Sequence, residues 1–144
     1  MSAAPPAAPV AARYTHAIPC LTYADAPAAI AWLVDVLGAE ARHVHPGPEG
    51  TVAHAELWFG SACVMLGSHK NGGPLPQEVG QGVVYLVAED ARAVEGLHAR
   101  AVAAGARIVI SLRDTDYGSR DFACLDPEGN AWSVGTYAPA EGSL

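Results

Sequence analysis

One pattern runs through this chain twice, and that repetition constrains its fold more than any other feature. The first copy reads "AIPCLTYADAPAAIAWLVDVLGAEARHV", "TVAHAELWFG" and "SACVMLGS". The second reads "GVVYLVAEDARAVEGLHARAVAAGARIVI", "GSRDFACLD" and "NAWSVGTY". Each copy opens with a short apolar strand ending at an acidic residue, Asp25 or Asp90. A carboxylate at that position accepts the unpaired amide protons of a helix start. Ile30, Leu33, Val34 and Leu37 then follow at helical spacing, as do Val94, Leu97 and Ala101. Gly38 and Gly105 close the two helices, where a positive φ is wanted. Three strands come after each glycine, at 39–44, 51–59 and 62–67 and again at 106–112, 119–125 and 131–137. "GS" (Gly60, Ser61) and "DPEGN" (Asp126 to Asn130) are the hairpin turns. The unit is βαβββ, and the fold class is α+β with two tandem modules forming a curved mixed sheet around a cavity. Module one is expected over 15–68 and module two over 82–138, within a single domain at 15–140. The Gly/Pro-rich stretch "HKNGGPLPQEVGQ" at 69–81 is the linker.

The chain of 144 residues suits one domain with a real core, and 51% hydrophobic against 16% charged residues argues for a compact fold rather than disorder. A formal charge of −7 with no basic stripe disfavours nucleic acid and anionic membrane surfaces as partners. "MSAAPPAAPVAARY", residues 1–14, reads as a flexible Ala/Pro-rich tail with no signal-peptide pattern. Cys20, Cys63 and Cys124 each fall in an expected strand without zinc-site spacing, so each is expected to be a small buried hydrophobe. An odd, reduced set points to the cytoplasm.

"YADAPAAIAWLVDVLGAE", "HAELWFG…VMLGS" and "DPEGNAWSVGTY" together resemble the vicinal oxygen chelate superfamily, the glyoxalase/bleomycin-resistance proteins, from about Thr15 to Tyr137. The resemblance implies two half-barrels enclosing a cavity, and often a homodimer. It leaves the reaction open, because the superfamily includes lyases, isomerases, dioxygenases, transferases and proteins that only bind drugs. Its metal-dependent members hold a divalent ion by His, Gln or Glu from the opening and closing strands. Counting onto this chain places those positions at Ile18, Met65, Val83 and Ser133. A thioether and a hydroxyl with two alkyl groups do not suit a hard divalent ion. No metal and no cofactor are therefore expected. His16, two residues before Ile18, is insufficient as a lone ligand.

Strand alternation sends Ala53, Ala55, Leu57 and Phe59 toward the helix, and His54, Glu56 and Trp58 onto the concave face. His54 and Glu56 can hydrogen-bond there and are the candidate catalytic pair. On the last strand Ser133, Gly135 and Tyr137 point inward while Trp132 and Val134 pack beneath the helix. Cys63, Met65 and Gly67 are their counterparts. Arg113, Asp114, Asp116, Tyr117 and Arg120 cluster in the loop "SLRDTDYGSRD". His43 and His45 share a face at a solvated strand end. The expected ligand contacts are His54, Glu56, Trp58, Met65, Tyr117, Arg120 and Ser133, around an apolar cavity for a hydrophobic or aromatic small molecule. Whether the chain only binds that molecule, or transforms it as a metal-free or metal-dependent enzyme, stays open at this point. A structural or regulatory module is the third reading.

Overall fold

In a computed structural model, residues 12–139 of the chain are described. The tail expected at 1–14 lies outside them as far as residue 11. The element order is β1 (Cys20–Tyr23), α1 (Ala26–Leu37), β2 (Glu40–Pro46), β3 (Val52–Phe59), β4 (Ala62–Ser68), β5 (Val83–Val87), α2 (Ala91–Ala103), β6 (Arg107–Asp114), β7 (Arg120–Leu125) and β8 (Ala131–Gly135). The strands form two four-stranded sheets of identical topology, β1-β4-β3-β2 and β5-β8-β7-β6. In each, the opening strand runs parallel to the closing one and the remaining pairs are antiparallel. Two tandem βαβββ modules are thus present as the repeat requires.

The helix ends follow local chemistry. Asp25 accepts from the Ala28 amide and Asp90 from the Ala93 amide, at 3.1 and 2.9 Å. Gly38 adopts φ 73°, which lets the Ala39 amide return to the Leu33 carbonyl at 3.1 Å. Arg100 of α2 reaches across to the Asp35 carbonyl in the last turn of α1, a favourable place for a cation at a helix C-terminus.

One hydrophobic core runs through both modules. Leu33, Leu57 and Val64 of module one and Val94, Phe122, Trp132 and Val134 of module two are all buried. The Phe59 and Trp132 rings meet across the module boundary at 5.6 Å. The boundary is also polar. Asp126, buried in the "DPEGN" turn, accepts from Tyr23 Oη, Trp132 Nε1 and the amides of Glu128 and Asn130. Glu128 accepts from the Ala24 and Asp25 amides at 2.6 and 2.8 Å, so a turn of module two caps the entry to α1 of module one.

The outer strands carry bulges that curl the sheets. In β2 the pairing shifts between Arg42 and His45, with His43 at φ 50°. A second irregularity lets Pro46 pair with Val52 directly after His45 pairs with His54. Ala53 is therefore exposed and does not face the helix; buried Val52 takes that role. The same bulge brings His45 into register with His54, and both His43 and His45 are exposed. Cys20 is exposed and Cys63 half-buried, and Cys124 alone of the three meets the expectation of burial. Cys20 falls at the first residue of a strand on its open face, where the side chain reaches solvent. Among the described residues no helix is long and apolar enough to cross a membrane.

Candidate functional site

Each sheet turns one face to its helix and leaves the other concave and open. In module one, Val64, Leu66, Ala55 and Leu57 are buried beneath α1. Their strand neighbours therefore line the opposite face. One row across the sheet reads Cys20, Met65, Glu56, Arg42, and the next reads Cys63, Trp58, Glu40. The Arg42 guanidinium lies over the Trp58 ring, 4.9 Å from its centroid. The Trp58 indole N–H donates to Glu56 Oε1 at 3.0 Å. The carboxylate of Glu56 thus serves the indole, and the His54–Glu56 hydrogen bond expected from alternation is not made. His54 instead stacks with His45, ring centroids 6.2 Å apart. Burial, and then the Glu56 charge, push the Cys63 thiol above its ordinary pKa.

The segment 69–82 arches over one end of this face. Between it and the sheet lies a cavity of about 270 Å³, lined by Cys20, Thr22, His54, Met65, Lys70 and Leu75 among others. His54 and Met65 are the two expected contact residues that meet there. Glu56 and Trp58 continue the same face outward.

Module two repeats the geometry with different chemistry. Its rows read Tyr85, Ser133, Ala123, Ile110 and Val87, Gly135, Asp121, Arg113. Val83, Tyr85 and Val87 are 78, 42 and 53% exposed, so this concave face stands open in the single chain. Ser133 lies on it, and Tyr117 sits at its rim, edge-on to Tyr137 at 5.6 Å. Arg120 is elsewhere. Its neighbour Phe122 is buried against His98 of α2, and Arg120 itself bonds Glu95 of α2 and Asp114, at 2.9 and 3.1 Å. Arg113 is the arginine on the concave side.

The implied metal positions can be tested against the register. Met65 pairs with Cys20 and Ser133 with Tyr85, so Ile18 and Val83 lie one pleat away from the closing-strand residues. Moving the count by that pleat changes the donor set to thiol, thioether, phenol and hydroxyl. Neither set suits a hard divalent ion. Among the described residues no three His, Cys, Asp or Glu side chains converge as metal ligands.

Sequence reasoning missed Arg42, Cys20, Tyr85 and the Arg113–Asp121 pair. Hairpin register would have found Arg42 opposite Glu56, had the bulge at His43 been legible.

A family model described as the Glyoxalase/Bleomycin resistance protein/Dioxygenase superfamily matches residues 13–134. An uncharacterized protein of Mycobacterium bovis is 32% identical over 124 residues, covering 81% of this chain and 80% of its own. Among solved structures, TioX from Micromonospora sp. ML1 superposes with a TM-score of 0.68 at 30% identity, over 87% of this chain and all of its own. Lactoylglutathione lyase from Agrobacterium tumefaciens superposes at 0.63 and 26% identity, over 85 and 95% of the two chains.

Proposed function

Because the chain belongs to the Glyoxalase/Bleomycin resistance protein/Dioxygenase superfamily, we propose that it binds a hydrophobic or aromatic small molecule on its concave faces without a metal ion. The observation that carries this reading is the make-up of those faces. Trp58, Met65 and Cys20 on one, and Tyr85, Val83 and Ile110 on the other, offer flat and polarizable apolar surface beside one arginine–carboxylate set on each face, Arg42 with Glu56 and Arg113 with Asp121. The Arg42 guanidinium, stacked over Trp58, is the plane on which a flat ligand packs, and His54 and Met65 meet its far end. Ser133 and Tyr117 contact it from a module-two face. Arg120 remains in the contact set only by displacement from Glu95 and Asp114.

Two half-barrels open to solvent suit a homodimer in which the module-one face of each copy meets the module-two face of the other. Such a pairing covers Val83, Val87 and Ile110, which a single chain leaves exposed. A cytoplasmic location belongs to the same reading.

One observation favours a second reading, a metal-free enzyme. His54 lines the cavity beside Met65, where its imidazole can reach a bound molecule as a proton acceptor. The experiment that separates the readings is titration with a panel of aromatic compounds, followed by recovery of the bound compound. Saturable binding with the compound returned unchanged supports binding alone. Conversion that is lost in His54→Ala, with binding kept, establishes the enzyme. Near one equivalent of metal in tag-free protein, measured by elemental mass spectrometry, overturns both metal-free forms.

A further inference from the structure

The Arg113–Asp121 pair on module two is built differently from the other ion pairs of the chain. The two residues face each other across β6 and β7, and Arg113 Nε donates to Asp121 Oδ1 at 2.9 Å. The carboxylate is 7% exposed while the guanidinium is 52% exposed. A carboxylate removed from water at this cost is weak support for stability, because an apolar residue serves a core as well or better. It does fix the guanidinium plane. With Nε engaged, the two terminal nitrogens of the half-exposed Arg113 have no hydrogen-bond partner among the described residues, which leaves a fork matched to a planar anion.

The surroundings of the pair are equally specific. Gly135 pairs with Asp121, and a β-carbon there would meet Tyr85 Oη at 2.5 Å, Asp121 Cβ at 3.0 Å and Ser119 Oγ at 3.2 Å. The absent side chain lets the Tyr85 ring lie down over the strand, with its hydroxyl donating to the Tyr137 carbonyl at 2.9 Å. Tyr137 in turn holds Tyr117 edge-on. Three half-exposed phenol rings thus share the module-two face and its rim with one oriented guanidinium, and Tyr117 is near enough to act on its charge. Of the nearby acids, Asp114 is bound by Arg120, and Asp116, on an exposed turn, is near enough for its charge to act on Arg113 without a hydrogen bond to it.

We infer that this module-two face recognises a planar aromatic ligand through a carboxylate or similar anionic group gripped by Arg113, with Tyr85, Tyr117 and Tyr137 as its aromatic walls. Asp121 acts as a positioning residue that holds the fork. The inference rests on the small-molecule reading above and deepens it by naming the ligand class.

The test is calorimetric titration of the full chain with 2-naphthoate and with 2-naphthamide, which share one ring system and differ in charge. Charge-assisted bonding to the fork gives naphthoate an advantage of about tenfold or more in affinity. Arg113→Gln is expected to abolish that advantage while leaving naphthamide within about twofold of its original affinity. Where Arg113→Gln does not fold, Arg113→Lys carries the test. It keeps the charge and loses the fork, and naphthoate alone should weaken, by about fivefold. Equal affinity for the two probes in the parent protein overturns the anion inference and leaves the small-molecule reading standing. So does a naphthoate preference that survives Arg113→Gln or is unmoved in Arg113→Lys. Absence of saturable binding by either probe overturns the reading and the inference together.

Discussion

Tyr23, at the end of the first strand, donates its phenol proton to Asp126 Oδ2 at 2.6 Å, and Asp126 belongs to the other module. The contact joins residues from opposite halves of the duplicated sequence. It is fully buried, and Asp126 also receives the Trp132 indole and the Asn130 amide. Tyr23→Phe removes one donor and is expected to cost about 1–2 kcal/mol. Asp126→Ala strands five donors at once, the Tyr23 hydroxyl, the Trp132 indole, both Asn130 nitrogens and the Glu128 amide, and should cost about 3 kcal/mol or more. Urea unfolding at constant m-value checks the ordering; equal costs would mean these bonds are not one network.

Glu128 caps α1 from outside its own module. Glu128→Ala is expected to destabilise by about 1–2 kcal/mol, and Glu128→Gln by less, since one acceptor survives. Hydrogen exchange at the Ala24 and Asp25 amides should accelerate in Glu128→Ala before any change in the β7 amides. Uniform acceleration would instead mark global destabilisation.

Alkaline pH should unfold the protein in two stages. Burial pushes the Cys124 thiol from 9.0 up to about 11. Its folded pKa lies above the unfolded one, so the stabilisation is complete below about pH 9 and is lost as pH rises toward 11. The expected loss is of order 2 kcal/mol. Burial, with Asp126 beside it, raises the Tyr23 phenol as well, which adds a second decline above pH 10. Cys124→Ala should remove the first stage and Tyr23→Phe the second, read as urea midpoints from pH 8 to 11.

The thiols should react with a disulfide reagent in the order of their exposure. Cys20 is open, Cys63 is half-buried with a raised pKa, and Cys124 is buried. One equivalent at once, a second slowly and a third only on unfolding is the expected course. A third fast equivalent in native buffer would contradict the burial of Cys124.

Sedimentation velocity tests the homodimer. The expected particle has twice the 14.8 kDa mass of the chain, and Val83→Glu, on a residue 78% exposed in the single chain, should halve it without altering the circular dichroism spectrum. A monomer at the concentrations used for binding would leave each concave face to act alone.

The sequence by itself determined the duplicated architecture, because its signals are local. Asp25 and Asp90 cap helices through amides three residues away, Gly38 needs only its own φ, and the apolar spacing of α1 is read within four turns. It also determined that Trp132 and Val134 pack under a helix, since a regular strand alternates strictly. Tertiary structure alone decided which polar residues share the concave faces. One extra residue at a bulge flips every side chain beyond it. Such bulges turned Ala53 outward and brought His45 opposite His54. Arg113 and Arg120 look interchangeable in "SLRDTDYGSRD", yet the pairing of Arg113 with Asp121 sends one to the open face and leaves the other bound to α2. Faces are assigned by register between distant strands, and register is a property of the assembled sheet rather than of any one segment.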